Sequence, residues 1–219
     1  VRLKNILKPG MTTMTGQLLD ESVGVGKALM MLAEKADWRK KRKMYENEKG
    51  RYRKGIGLAC GWHGISTSRG VPDWSNAIVK VSKDGGVEVY TGITEIGQGT
   101  PTTAHVQIVS EILGIPLEYI TIHFGTTDAP DTGATHASRG ASIGAIGVLI
   151  AAAKVRERLA TLASEILQCN PEELKFENGK IYSKNNPEKS LKWKDLVNEA
   201  FNRGVELSST GYFYLPKGK

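Results

Sequence analysis

Cysteine is scarce: the 219 residues contain two, Cys60 and Cys169, far apart and without CxxC spacing. That pattern excludes a disulfide framework and a cysteine-rich structural zinc site. An iron–sulfur cluster takes four ligands, so this chain cannot hold one alone. Two buried free thiols in a reducing cytoplasm are the expectation. Long apolar runs are lacking too. None approaches the roughly 18–20 residues that cross a membrane. The opening Val1-Arg2-Leu3-Lys4 has no apolar signal core and no initiator Met, so the chain reads as an excised or processed segment of something longer. With 40% hydrophobic and 24% charged residues, composition excludes intrinsic disorder and points to a globular protein able to bury a core.

The formal charge is +7, which raises the question of a nucleic-acid partner. Its location argues against one. Residues 39–54 carry nine Lys or Arg against two Glu, equal to the whole net charge, so the remainder is neutral. Tyr45 and Tyr52 are interleaved, but no RNP-like or zinc-finger pattern accompanies them. A solvated helix face or linker is the simplest reading of such a run, with docking to a partner as the alternative.

Residues 1–50 read as a helical N-terminal segment and basic linker, with an apolar helical stripe from Ala28 through Trp38. Residues 51–219 read as an α+β domain with a mixed β-sheet and packed helices. Ile56, Leu58 and Cys60 alternate as in a strand. Residues 77–81 and 87–90 form a hairpin through Asp84-Gly85-Gly86. A helix follows, with Thr100 as N-cap, Pro101 in its first turn, Val106, Val109 and Leu113 on one face, and Gly114 at its end. A strand over 120–124 leads to a Thr-, Asp-, Pro- and Gly-rich loop. The longest helix, about 141–168, takes Ile146, Leu149, Ile150, Ala153, Leu159, Leu162, Ala163 and Ile166 as its apolar face. Asn178-Gly179 signals a hairpin, and a last helix runs from Trp193 to about Phe201.

Two loops open helices and carry the residues suited to chemistry. Gly97-Gln98-Gly99 lies between a strand and a helix N-terminus, where exposed N–H groups and the helix dipole favour an anion. Its Gln amide supplies donors and an acceptor. A tight turn with an exposed Gln fits the spacing equally well. No P-loop is present, because no Gly-Lys-Ser/Thr follows. Thr135-His136-Ala137-Ser138-Arg139-Gly140 opens the longest helix. There Ser138 could cap, Gly140 permits close approach, and Arg139 could pair bidentately with a phosphate. A capping arrangement without a ligand is the alternative.

These loops resemble those of a known family. Gly92-Ile93-Thr94-Glu95-Ile96-Gly97-Gln98-Gly99, with Thr102 or Thr103 following, is similar to the Gln-Gly segment of the large subunit in the xanthine dehydrogenase/aldehyde oxidase family of molybdenum hydroxylases. Gly133-Ala134-Thr135-His136-Ala137-Ser138-Arg139 resembles that family's second cofactor loop, where backbone amides near an Ala-Ser pair hold the molybdopterin. Lys54-Gly55-Ile56-Gly57-Leu58-Ala59 and Arg2-Leu3-Lys4-Asn5 match leading segments, and the resemblance covers nearly the whole chain.

The resemblance implies a molybdopterin cofactor, in plain or cytosine-dinucleotide form. Gly97, Gln98 and Gly99 would contact it on one loop, and Thr135, His136, Ala137, Ser138, Arg139 and Gly140 on the other. It also implies 2Fe-2S clusters and FAD on partner domains or subunits of an oligomeric, cytoplasmic complex. The implied activity is hydroxylation of N-heterocycles such as purines, or of aldehydes, with oxygen from water and a Glu as base.

The departures matter as much. The family's Gly-Gly-Phe-Gly-Gly segment, its substrate-orienting Arg and its Gly-Val-Gly-Glu base motif are absent; Gly24-Val25-Gly26 is followed by Lys27. No Glu here is therefore assigned as base, and the segment alone is expected neither to retain molybdopterin tightly nor to turn over. His63, His105 and His123 are read as packing or surface residues, and His136 as a possible cofactor contact. The competing reading is a non-catalytic scaffold or nucleic-acid-binding module using residues 39–54.

Overall fold

Alternating apolar positions build the central sheet. In β1 (Asp73–Val81) and β2 (Val87–Thr91) every second residue is buried, giving one wet and one packed face. The computed structural model describes residues 1–67 and 70–217, in two compact units, Val1–His63 and Gly64–Lys219. Among the described residues no helix is long and apolar enough to cross a membrane.

Unit one holds α1 (Val25–Lys35) and α2 (Trp38–Glu46). The expected single stripe through Trp38 is broken, because Asp37 adopts a left-handed conformation with φ 48° between the helices. α2 buries no side chain, which fits a basic face turned to solvent. The strand expected at Ile56, Leu58 and Cys60 is not formed. A strand exists only through its ladder, and the only β-bridge in this unit joins Thr12 to Leu18. Cys60 is exposed and Cys169 half-buried, against the expectation of two buried thiols.

Unit two is a mixed α+β assembly. Four strands lie in the order β3-β2-β1-β7, where β3 is Ile120–His123 and β7 is Ser208–Leu215. β1 is antiparallel to both neighbours, whereas β2 and β3 run parallel, with Tyr90 paired to His123. A second, antiparallel sheet contains β4 (Leu174–Glu177), β5 (Lys180–Ser183) and β6 (Asn186–Lys192). Asn178-Gly179, both at positive φ, makes the expected tight turn between β4 and β5. α3 is Val106–Leu113, α4 is Ala145–Leu167, and α5 is Trp193–Asn202. Trp193 at the start of α5 donates its indole N–H to Gly85 O in the β1–β2 turn, 2.8 Å away.

α4 packs on β1 and β7 through Val148, Ala151, Ala152, Val155 and Leu159, all fully buried. The first half of its expected face is therefore rotated: Leu149 and Ala153 are exposed, and the inward residues are smaller. Contact distance explains this. A Cβ on Gly211 of β7 would stand 1.9 Å from Gly147 O and 2.5 Å from Ala151 N, so backbone lies on backbone and only small residues fit. Neither β6 nor β7 was expected. β6 is exposed at almost every position, and β7 mixes Ser, Thr and Gly with aromatics, so neither presents a clean alternation.

Replacing Gly211 with Ala is expected to destabilise unit two by about 3 kcal/mol or more, since overpacked backbone cannot relax by changing rotamer. Urea denaturation of the variant beside the wild type measures it, and an unchanged midpoint would contradict the packing described.

Candidate functional site

Both candidate loops start at the same edge of the sheet. β2 and β3 are parallel neighbours, so the chain leaves their C-terminal ends side by side, where ligands gather in sheets with parallel strands. The first loop runs from β2 into a π-helical turn, Thr100–His105, and on into α3. The second runs from β3 into another π-helical turn, Gly140–Gly144, and on into α4. Two such turns in one unit is unusual, and they occur often at functional sites.

The loops are locked to each other at several points. The Thr94 amide donates to Thr135 Oγ1 at 2.9 Å. His105, fully buried, bonds through Nε2 to Gly140 O at 3.1 Å, so that nitrogen carries the proton. A Cβ on Gly92 would come within 2.7 Å of Pro130 O and Thr132 Oγ1, and one on Gly144 within 2.7 Å of Ile93 Cγ1. The two candidate loops expected from sequence are thus bonded to each other where they leave the sheet.

Within the first loop, Gly97 and Gly99 take φ values of +102° and +74°. Glu95 Oε1 accepts from both their amides, at 2.9 and 2.8 Å, and Oε2 accepts from the Thr102 hydroxyl at 3.3 Å. The Gly99 amide above all, with those of Gly97 and Gln98 and the Thr102 hydroxyl, holds the Glu95 carboxyl below the usual carboxylate range. The anion expected at this helix head is supplied by the chain itself. Gln98 is exposed: its Oε1 accepts from the Ile96 amide at 2.7 Å, and its Nε2 donates to Thr94 O at 2.8 Å. One amide hydrogen and one lone pair of its side chain remain for a ligand.

In the second loop Ala137 and Ser138 are exposed, and His136 and Thr135 are half-buried. Ala137 has φ 48°, a conformation costing a non-glycine residue about 1 kcal/mol and kept only where its surroundings impose it. Arg139 points the other way. It is 1% exposed, and its guanidinium grips Asp73, 2% exposed, with Nη2 at 2.6 Å and Nε at 3.1 Å from Oδ1. It also donates to the carbonyls of Trp74, Thr132 and Ala134. The bidentate pairing expected for Arg139 is present, but with an internal carboxylate in place of a phosphate.

Neither expected cap forms. Gly99, not Thr100, is the N-cap residue of the π-helical turn that leads into α3, and the Thr100 side chain is buried against Gly140. Ser138 makes no capping bond; at the head of α4 the Gly147 amide donates instead to Ser75 Oγ of β1, 3.1 Å away. Sequence reasoning also missed Asp73, Ser75 and the clamping role of His105. The one signal was a polar residue at each of the first two inward positions of β1, Asp73 and Ser75, where an apolar strand would carry none. His123 stacks on Tyr90 with ring centroids 4.5 Å apart. Among the described residues no cluster of His, Cys, Asp or Glu could hold a metal ion.

The donor set fits molybdopterin. Such a ligand carries a phosphate and a ring system lined with hydrogen-bonding atoms, and the loops offer backbone amides of the second turn, the exposed Gln98 carboxamide and hydroxyls beside positive-φ backbone. The amides of the first turn are already taken by Glu95, so on that loop the donor left for a ligand is the Gln98 carboxamide.

A mixed sheet whose parallel strands lead through two loops into helices is the architecture of a cofactor-binding domain. The chain belongs to the molybdopterin cofactor-binding domain family, whose profile matches residues 31–219 and so takes in the basic run as well. It is 31% identical over 217 residues to xanthine dehydrogenase from Calliphora vicina, which covers 97% of this chain and 14% of that protein. It is 30% identical to a xanthine dehydrogenase molybdenum-binding subunit of Escherichia coli, covering 95% of this chain and 28% of the subunit. The chain therefore spans well under a third of these relatives. Among solved structures, quinoline 2-oxidoreductase from Pseudomonas putida superposes with a TM-score of 0.69 at 22% identity, over 97% of this chain and 29% of that one. Aldehyde oxidoreductase from Desulfovibrio gigas gives 0.66 at 17% identity, over 98% of this chain and 20% of that one.

Burial pushes the His105 imidazole below its ordinary value, and the bond to Gly140 restores only part of this. The folded-state value lies below the unfolded one, so the associated stability is complete above about pH 6.5 and is lost as pH falls toward the folded value. The thermal midpoint is expected to drop between pH 7 and 5.5. In His105→Gln, which keeps a donor for Gly140, that drop should shrink; an identical slope would contradict the assignment.

Proposed function

We propose that this chain is the part of a molybdenum hydroxylase that grips the pterin. In this reading Gly97, Gln98 and Gly99 contact it from one loop, and Thr135, His136, Ala137, Ser138, Gly140 and the backbone of Arg139 from the other. The single observation that supports the proposal is the tying of two loops from parallel neighbouring strands, each with backbone at positive φ, to each other by the Thr94–Thr135 and His105–Gly140 bonds. When bound, the cofactor supplies the redox chemistry that hydroxylates a carbon of an N-heterocycle such as a purine, or of an aldehyde, with oxygen from water.

This chain's residues bind and orient. The Gln98 carboxamide offers its free N–H and lone pair to the ligand, and the second turn offers backbone donors. Glu95 is committed to the first turn and is not available as a base. Gln98, Ala137 and Ser138 all stand exposed, so this chain covers a ligand from one side only. The other side, the base, the iron–sulfur clusters and FAD belong in this reading to partner domains or subunits of a cytoplasmic oligomeric complex. The segment alone is inactive. The cofactor is molybdopterin or its cytosine dinucleotide.

Loss of Gln98 or of the Thr135 hydroxyl tests the reading. In the intact enzyme, Gln98→Ala and Thr135→Val should each speed pterin release at least tenfold, equivalent to about 1.4 kcal/mol. Pterin fluorescence and molybdenum analysis after gel filtration report this. Full retention in both variants would overturn the assignment.

A further inference from the structure

Arg139 sits in the stretch proposed to contact the cofactor, yet its side chain reaches no part of the exposed surface. Its partners are all internal: both carboxylate oxygens of Asp73 and the carbonyls of Trp74, Thr132 and Ala134. Asp73 opens β1, 66 residues earlier, and is held in turn by Ser66 Oγ at 2.8 Å and by its own contact to the Trp74 amide at 2.8 Å. One guanidinium therefore closes residues 132–139 into a ring and fastens that ring to the sheet. Gly133 lies so near that a Cβ would meet Arg139 Nη2 at 3.1 Å. The ring presents Thr135 to Thr94 and carries Ala137 at positive φ.

We propose that the Asp73–Arg139 pair is a positioning device that sets the second cofactor loop in its binding conformation before any cofactor arrives. Arg139 is a positioning residue acting through the backbone it holds, and Asp73 is its anchor. The physical case is burial. A charge with almost no exposure is held by its partners or not at all, because leaving either one unpaired in the interior is far costlier than rearranging a surface bond. Lysine cannot substitute, since an ammonium cannot meet a carboxylate edge-on while also reaching three carbonyls in the guanidinium plane. A preformed loop binds with less ordering cost, so the pair acts on cofactor affinity without touching the cofactor. The proposal rests on the cofactor reading above only for what the loop binds.

Amide hydrogen exchange decides it in the wild-type enzyme, compared with its molybdopterin loaded and removed. The amides of Gly133, Arg139 and Thr94, bonded to Asp131, His136 and Thr135, are the reporters. Their protection should stay within about twofold on cofactor removal. A fall of tenfold or more would overturn the proposal, because the cofactor would then be ordering the loop. In Arg139→Lys the same amides should exchange at least tenfold faster and pterin content should fall with them. Val197→Ala, a buried substitution in α5, should leave both unchanged at comparable loss of stability. Pterin loss from Arg139→Lys with the loop still protected would overturn the positioning role. Should the wild type carry no pterin at all, the cofactor reading fails, while the exchange of Arg139→Lys still decides how the loop is held.

Discussion

Parallel pairing of β2 with β3 is the constraint on which the arrangement of the site rests. A parallel neighbour forces both chains to leave the sheet at the same end, and the crossover between them must be long enough to hold a helix. Here that crossover is the first loop, its π-helical turn and α3, and the chain leaving β3 repeats the pattern into α4. The loops begin in register at Tyr90 and His123. Once they emerge side by side, a few specific contacts suffice to weld them: Ile93 into the glycines of the second helix head, Thr94 onto Thr135, and His105 onto Gly140.

Charge in this region is used internally before it is offered outward. Glu95 satisfies the head of the first helix, and Arg139 is consumed by Asp73. Burial pushes the Asp73 carboxyl up, but hydrogen bonds from Arg139, Ser66 and Thr67 and the Arg139 charge outweigh it and bring it down to about 2. What remains for a ligand is mostly neutral: amides of the second turn, the spare valences of Gln98, and hydroxyls. In the proposed reading such residues would recognise a polar heterocycle with an anionic tail by geometry, with little long-range electrostatic steering.

How much of this was legible in the sequence follows from the same distinction between local and distant partners. The β1–β2 hairpin, the Asn178-Gly179 turn, the Gly114 helix end and α5 depend on neighbours in the chain, and short-range pattern reveals them. The two glycine-bearing loops were legible for the same reason. What stayed hidden depends on contacts across dozens of residues. Ser75 replaces Ser138 at the head of α4, Gly211 dictates which face of that helix is small, and Asp73 claims Arg139. A guanidinium next to an Ala-Ser pair looks like a phosphate ligand until a buried carboxylate is found behind it. Likewise, residues 56–60 alternate as a strand would but have no ladder to join.

The central claim is that the two turns form one pterin-binding surface. A structure of the intact, cofactor-loaded enzyme tests it most directly. The account predicts pterin atoms within hydrogen-bonding distance of the 97–99 turn and of the 135–140 turn at once, with the Arg139 guanidinium still facing Asp73. A pterin that touches only one of the turns, or that draws Arg139 out of the interior, would contradict it.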